Sequence, residues 1–217
     1  MQTTITNLYR GKTQPLGPHG KPSAIVKTTI SGPVSITFAG LAGDEQADLV
    51  NHGGPDKAVH QYSALEYQQL AAAFPALESQ LRPGTMGENF STPQLCADDV
   101  CIGDIWQLGS ARLQVSEPRK PCWKINARFE EPALVKFIDS QGLSGWYFRV
   151  LDEGTANAGD TFQRLSQLNP DWSIARFWQL YRSKTPAIAE LEAAIALPGL
   201  SELWQQKMTD ILSKQRG

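Results

Sequence analysis

Residues 103–122, GDIWQLGSARLQVSEPRKPC, contain both the pattern that decides the fold and the residues that point to a function. Gly103-Asp104 supplies a tight turn, and apolar residues then alternate with polar ones as in the short strands of a barrel or sandwich. A related phrase, GDTFQRL, begins at Gly159. Gly-Asp turns are common, so the repeat is a weak one. It nevertheless predicts two related turn-to-strand corners of one closed sheet.

Similar short runs, broken by Gly, Pro, Asp and Asn, continue to about residue 165. Four of them are predicted strands: Ser35–Ala39, Ala58–Tyr62, Arg112–Val115 and Trp146–Leu151. Two helices are expected in the same region. One follows Ser63, which has capping-box spacing with Glu66, and it ends at Pro75. The other covers Pro132–Asp139.

Three segments with helical periodicity follow Asn169-Pro170, at about Trp172–Tyr181, Pro186–Ala196 and Ser201–Lys214. Thr185-Pro186 has the form of a cap followed by proline at the first helical position. Helices this short are stable only when packed, so they need a shared core. The expected core residues are Trp172, Phe177, Trp178, Leu180, Leu191, Ile195, Leu203, Trp204 and Ile211. We therefore predict a mainly β protein with helices: a β-barrel-like domain (residues 1–165) and a small three-helix domain (residues 166–217).

Composition excludes several classes of partner and location. The chain of 217 residues is 41% apolar and 19% charged with a formal net charge of −2, so no nucleic acid polymer is expected as a partner. The N-terminal residues lack the apolar core of a secretion signal, and no apolar run reaches the roughly 18 residues of a membrane span. Three cysteines without a C-x-x-C pair argue against a disulfide framework. The expected location is the cytoplasm.

Cys122 is the residue that most suggests chemistry. It lies in SEPRKPCWK (residues 116–124), where two prolines stiffen the loop and Arg119, Lys120 and Lys124 supply positive charge. Nearby cations favour the thiolate, which is both a nucleophile and a soft metal ligand. The alternative is a buried structural cysteine beside solvated cations, and the residues alone leave the two interpretations about equal. Cys96 and Cys101 have no such setting and are expected to be structural.

Two further segments could contribute to a site. In NHGGPDKAVHQYS (residues 51–63), Gly53-Gly54 permits close backbone approach to a ligand and Lys57 can reach a phosphate, although a surface turn explains the pattern equally simply. In GTMGENF (residues 84–90), Thr85, Glu88 and Asn89 could hydrogen-bond a polar ring. A zinc site has little support, because the spacing of the histidines matches no common zinc pattern.

Together these blocks resemble a MOSC domain, which is named for the C-terminal part of molybdenum-cofactor sulfurases. The resemblance rests on Gly103-Asp104, the SEPRKPC segment, NHGGPDKAVHQYS and GENF, and GWYFRVL with AGD (between residues 145 and 160) resembles the closing segment of that domain. The chain as a whole is similar to the YiiM-type branch of the family, a MOSC barrel followed by a "3-alpha" domain. The combination of ordered blocks is specific, although no single block is.

The resemblance implies a rim that holds a molybdenum cofactor of the molybdopterin type. Cys122 occupies the position of the family's molybdenum-ligating cysteine, and is therefore the predicted metal ligand and catalytic residue. The predicted cofactor contacts are Arg119, Ser116, Asn89, Lys57 and His52. The last two match the histidine-glycine block, and they are expected to bind phosphate or to line the substrate pocket.

The implied activity is a detoxifying reduction of N-hydroxylated compounds, of the hydroxylaminopurine type, to amines and water. Glu88 and Glu117 are both candidate proton donors, and the sequence gives no reason to choose one over the other. The chain encodes neither a cysteine set for an iron–sulfur cluster nor a dinucleotide fingerprint. A separate flavin or iron–sulfur reductase is therefore the expected electron donor, and the three helices are expected to help dock it.

Three alternatives remain open at this point. The first is a carrier of the molybdenum cofactor or of sulfur, without turnover. The second is a metal-free cysteine hydrolase that uses Cys122 and a histidine, His60 or His52, as its base. The third is a purely structural protein in which Cys122 belongs to the core and the helices form an interaction module.

Overall fold

The computed structural model describes residues 1–49 and 53–217, and it is a mixed structure built around a nearly closed, barrel-like sheet. The strands are β1 (Gln2–Thr4), β2 (Tyr9–Arg10), β3 (Gln14–Leu16), β4 (Lys21–Ser23), β5 (Thr28–Thr29), β6 (Val34–Thr37), β7 (Gly40–Leu41), β8 (Val59–Ser63), β9 (Phe90–Thr92), β10 (Ile105–Leu108), β11 (Ala111–Pro118), β12 (Trp146–Asp152), β13 (Gly154–Ala156) and β14 (Thr161–Ser166). The α-helices are α1 (Ala64–Ala73), α2 (Trp123–Phe129), α3 (Leu134–Gln141), α4 (Ile174–Arg182), α5 (Ile188–Ile195) and α6 (Glu202–Arg216).

The barrel-like sheet has seven strands in the order β1-β14-β10-β11-β12-β8-β9. All neighbours are antiparallel except β8 and β9, which are parallel. The two Gly-Asp corners lead into β10 and β14, and these strands pair with each other so that Leu108 lies opposite Phe162. The prediction that the corners belong to one sheet is therefore confirmed.

The four predicted strands are present with shifted ends, as β6, β8, β11 and β12. β6 lies outside the seven-stranded sheet, in a three-stranded sheet with β13 and β7. β11 runs to Pro118, three residues beyond the predicted end, with register shifts against β12 that mark bulges. This extension brings the chain directly to Arg119 at the rim of the sheet.

Aromatic side chains fill the interior of the barrel-like sheet. The rings of Trp106 and Phe162 stack with centroids 4.5 Å apart, and Phe162 meets the edges of Phe90 and Phe148. All four side chains are fully buried. Burial of four large rings supplies much of the apolar free energy that holds the strands in register.

The two helices predicted within the first 165 residues are confirmed as α1 and α3. The Ser63 side chain caps α1 by accepting a hydrogen bond from the backbone N–H of Leu65, and the helix ends at Ala73, before Pro75. α2 was not predicted. It begins immediately after Cys122, because the chain leaves the extended conformation there once Pro121 has been passed.

The three C-terminal helices are confirmed as α4, α5 and α6. The predicted cap at Thr185-Pro186 is wrong: α5 begins at Ile188 after Ala187, which makes no side-chain capping bond. The described part of the chain contains no helix with the length and apolar character needed to cross a membrane.

The C-terminal helices pack against the sheet, and one apolar core includes Phe177 and Trp204 together with Trp106. Leu203 was expected in this core but is 43% exposed, since it lies on the side of α6 that faces a cavity. The change from strands to helices falls between Ser166 and Ile174. The division into domains at residue 165 stays a prediction.

Candidate functional site

Cys122 lies where the rim of the sheet meets a helix. β11 ends at Pro118, and the backbone N–H of Arg119 then donates to the carbonyl of Gly145, next to the start of β12. Cys122 is the N-cap residue of α2, and its carbonyl accepts from the N–H of Ile125. The partly buried cysteine is thus held between β11 and α2, in the loop that its two prolines were expected to stiffen.

Two adjoining cavities meet at this cysteine. The inner recess has a volume of about 70 Å³ and is lined by Lys27, Asp44, Lys57, Asn89, Arg119 and Cys122, among others. The structure therefore brings four of the predicted site residues together, although they come from segments as far apart as residues 57 and 122. Lys27 and Asp44 were not predicted, because no motif surrounds them in the sequence.

The outer cavity is much larger, at about 840 Å³, and opens between the rim of the sheet and α6. It shares Cys122, Lys57, Lys124 and Tyr147 with the inner recess. Trp123 and Lys207 lie among the residues that line it further out. Pockets for small ligands commonly measure roughly 300–1,000 Å³, so only the outer cavity has the volume for a whole ring system.

Arg119 is the residue of the inner recess best suited to bind an anion. Its side chain is only 5% exposed, and its Nη1 atom has no hydrogen-bond partner among the described residues. Buried guanidinium donors in folded proteins are nearly always satisfied, and an unsatisfied one costs stability. An anionic group bound against Arg119 in the recess, with a small shift of the guanidinium that uncovers Nη1, would supply the missing acceptor.

A buried ion pair supports the wall of the recess. The Lys27 ammonium lies 2.6 Å from Asp44 Oδ1, and the Asn89 side-chain amide donates to Asp44 Oδ2 over 2.8 Å. Burial lowers the pKa of Lys27, and the attraction of Asp44 opposes that shift. The Asn89 carbonyl oxygen accepts from the backbone N–H of His60. Much of the Asn89 side chain is thus engaged in holding the recess together.

His60 lines the recess with a neutral side chain. Burial lowers its pKa well below the ordinary value, and the positive charge of Arg119 lowers it further. Its Nε2 lies 3.4 Å from the carbonyl oxygen of Ser144. Because burial and Arg119 disfavour the protonated form, His60 is a poor acceptor for the proton of a thiol.

The two candidate proton donors have different settings. Glu88 is a structural anchor, since it accepts hydrogen bonds from the Tyr67 and Ser91 hydroxyls and from the backbone N–H of Gly84. Glu117 lines the outer cavity, with its Oε1 3.6 Å from the Lys57 ammonium. The Glu117 Oε2 atom is buried without a hydrogen-bond partner among the described residues, and burial raises the pKa of this carboxyl.

Ser116 lines neither cavity. It is fully buried, and its Oγ lies 2.5 Å from the carbonyl oxygen of Asp56 and 3.0 Å from that of Tyr147. The Ser116 hydroxyl is therefore a hydrogen-bond donor to the backbone behind the rim of the sheet. His52 lies outside the described residues. Of the cysteines expected to be structural, Cys96 donates to Asp99 and Cys101 is buried, and burial raises the pKa of both thiols.

The chain is similar in sequence to known proteins. The model of the MOSC domain matches residues 48–163. The protein YiiM of Escherichia coli is 35% identical over 205 residues, which are 93% of this chain and 89% of that protein. A Gibberella moniliformis protein named "Reductase" is 37% identical over 198 residues, which are 89% of this chain but only 34% of that longer protein.

A solved structure has the same fold over the whole chain. The crystal structure of YiiM from Geobacillus stearothermophilus superposes with a TM-score of 0.80 at 29% identity, covering 98% of this chain and all of the other. The family match, the near full-length relative and the shared fold lead to one conclusion: this chain belongs to the MOSC domain family.

Proposed function

We propose that the protein is a molybdenum-cofactor-dependent reductase that converts N-hydroxylated compounds of the hydroxylaminopurine type into amines and water. The observation that carries the proposal is the buried guanidinium of Arg119: its Nη1 has no partner among the described residues, and Arg119 and Cys122 line the same recess. Membership of the MOSC family and the relative named "Reductase" support an oxidoreductase.

The residues present fit a metal that arrives with its own organic ligand. Among residues 1–49 and 53–217, no three His, Cys, Asp or Glu side chains converge as an all-protein metal site would require. A metal held by a dithiolene pterin needs little more than one soft ligand from the protein, which Cys122 supplies as a thiolate. When bound, this cofactor supplies two-electron oxygen-atom transfer.

The charges around Cys122 suit the anionic part of such a cofactor. Arg119 and Lys57 line the inner recess, whose 70 Å³ is less than half of the roughly 150 Å³ cavity that admits benzene. Only a small group such as a phosphate fits there, and Arg119 has the donor geometry that phosphate prefers. The volume for rings lies in the outer cavity.

The chain's own contribution to the reaction is to hold the reactants and to keep a proton available. Reduction of R–NHOH to R–NH₂ and water consumes two electrons and two protons. Glu117 lines the outer cavity as a buried carboxyl whose raised pKa retains its proton at higher pH than usual. It is therefore the proposed proton donor, and Lys57 beside it limits how far that pKa rises.

The electrons are proposed to come from a separate flavin or iron–sulfur reductase. Because the C-terminal helices share their core with the sheet, deleting them would unfold the protein, and a surface substitution is the better probe. Ile188 on α5 is 42% exposed. Ile188→Ser should slow turnover driven by the reductase more than turnover driven by a reduced dye. Equal losses in the two assays would argue against docking at these helices.

The reductase is tested by dye-driven reduction of 6-hydroxylaminopurine by protein produced with ample molybdate. We expect turnover by the wild type and by Cys96→Ala, which removes a cysteine outside both cavities, and at least about a hundredfold loss in Cys122→Ala. Loss of substrate in metal-free protein without oxidation of the dye would instead support a hydrolase, which the lowered pKa of His60 disfavours. Cofactor bound without turnover would support a carrier.

A further inference from the structure

The wall of the outer cavity is rich in cations. Five lysines line it, against the two carboxylates of Asp48 and Glu117: Lys21, Lys57, Lys120, Lys124 and Lys207. The chain as a whole has a formal net charge of −2, so this concentration of positive charge is local. Cations gathered in a partly enclosed cavity raise the local concentration of anionic ligands.

Three of these ammonium groups rest on aromatic rings. Lys207 Nζ lies 4.4 Å from the ring centroid of Trp204, Lys120 Nζ 5.9 Å from that of Tyr181, and Lys21 Nζ 5.7 Å from that of Trp123. An aromatic face positions an ammonium group without neutralising its charge. Burial lowers the pKa of Lys207; Glu117 opposes that shift, and the charges of Lys120 and Lys57 add to it.

An aromatic platform lies beside the reactive cysteine. Trp123 follows Cys122 directly, lines the outer cavity and is 46% exposed. A nucleobase stacked on an exposed aromatic ring gains about 1–3 kcal/mol of binding free energy. The outer cavity thus offers an aromatic surface near Cys122 and, on its helical side, lysines that can bind phosphate.

We propose that the outer cavity binds the substrate as a nucleoside 5′-phosphate, with its phosphate on Lys120 and Lys207 and its base beside Trp123. This inference rests on the proposed function, because the base of the substrate is expected to react next to Cys122. The phosphate site is additional to the inner recess, which is lined by Arg119, whose Nη1 has no partner in the part of the chain that the structure describes. It also gives the C-terminal helices a role in substrate selection, since α6 contributes Lys207 and the ring beneath it.

Binding of adenosine 5′-monophosphate and of adenosine tests the site without chemistry. By isothermal titration calorimetry, the wild type should bind the nucleotide at least about tenfold more tightly than the nucleoside, because a charge-assisted contact is worth about 1.5–3 kcal/mol. Lys207→Gln and Lys120→Gln should each weaken binding of the nucleotide about tenfold and leave that of the nucleoside unchanged. Lys214→Gln is the matched control, since Lys214 is exposed on the same helix and lines neither cavity.

Equal affinity of the wild type for the two compounds, or nucleotide binding unaffected in both cavity variants, would overturn the proposal. Molybdenum and pterin contents of each variant should match the wild type. Loss of cofactor from Lys207→Gln would instead assign these lysines to the cofactor and would also overturn it. Thermal unfolding of each variant confirms that a weak binder is folded.

Turnover separates this inference from the proposed function. Lys207→Gln should raise the KM for N⁶-hydroxyadenosine 5′-monophosphate about tenfold and leave the KM for 6-hydroxylaminopurine unchanged. If Lys207→Gln reduces each compound with the same KM as the wild type, the phosphate site is refuted and the reductase still stands. If neither compound is reduced while the nucleotide binds through Lys207, the reductase is refuted and the anion site stands.

Discussion

Arg119→Met should change the stability of the protein in opposite directions with and without cofactor. In the cofactor-free protein the Arg119 side chain is 5% exposed and its Nη1 has no partner among the described residues. Leaving a buried donor unsatisfied costs about 1–3 kcal/mol, more when the group is charged. Methionine has a similar length and no donor, so it removes that cost and retains most of the packing.

The size of the effect follows from these terms. We expect the cofactor-free variant to be more stable than the wild type by about 1 kcal/mol, because the lost desolvation penalty outweighs the lost packing. For a chain of this length that is a rise in Tm of about 2–4 °C. In the loaded protein the same substitution removes a charge-assisted bond of about 1.5–3 kcal/mol, so cofactor binding should weaken about tenfold to a hundredfold.

Differential scanning calorimetry of both forms provides the measurement. Arg119→Lys is the companion variant, because it keeps the charge but loses the planar fork, and it should retain part of the cofactor affinity. A cofactor-free Arg119→Met protein that is less stable than the wild type by several kcal/mol would show that Arg119 is a structural residue already satisfied by its neighbours. The anion-binding interpretation of the recess would then be untenable.

Three other substitutions test the surroundings of the site. Lys27→Met leaves the buried Asp44 without its 2.6 Å partner and should destabilise the fold by about 3–5 kcal/mol in urea unfolding, with Lys27→Met/Asp44→Asn recovering part of the loss. Burial raises the pKa of Glu66 to about 8, so the folded state binds this proton more tightly than the unfolded state, and stability should fall as pH rises from about 4.5 to 8. Glu66→Gln should flatten that part of the stability profile, and an unchanged slope would refute the assignment. Gly145 has φ +71°, and a Cβ there would lie 2.2 Å from the Gln61 carbonyl oxygen. Gly145→Ala should therefore destabilise the fold by at least about 1–3 kcal/mol in thermal unfolding and impair cofactor retention. A variant with the Tm of the wild type would contradict this.

Local sequence patterns predicted most of the framework. Alternation after Gly-Asp located β10 and β14, and the segment around Cys122 located the cysteine that the structure places at the junction of two cavities. Capping by Ser63 and helical periodicity located α1 and the C-terminal helices. Each of these signals lies within a short stretch of chain, which is why a single sequence suffices to detect it.

The missed features depend on contacts between distant segments. Lys27 and Asp44 face each other only after β5 and the turn beyond β7 have folded around the rim, so neither had a recognisable motif. Ser116 lies within the predicted motif, but its hydroxyl lies within hydrogen-bond distance of two backbone carbonyl oxygens behind the cavity. Thr185-Pro186 has the composition of a cap, yet α5 begins two residues later, after Ala187. The cavity formed with α6 depends entirely on how the helices pack.

The most direct test of the proposed cofactor site is the molybdenum and pterin content of purified protein produced with ample molybdate. We expect about one molybdenum and one pterin per chain in the wild type and in the control Cys96→Ala, and little or none of either in Cys122→Ala, because one thiolate is the proposed protein ligand. A Cys122→Ala protein that retains metal and pterin at the wild-type level, or a wild type that never acquires them, would contradict the site described above.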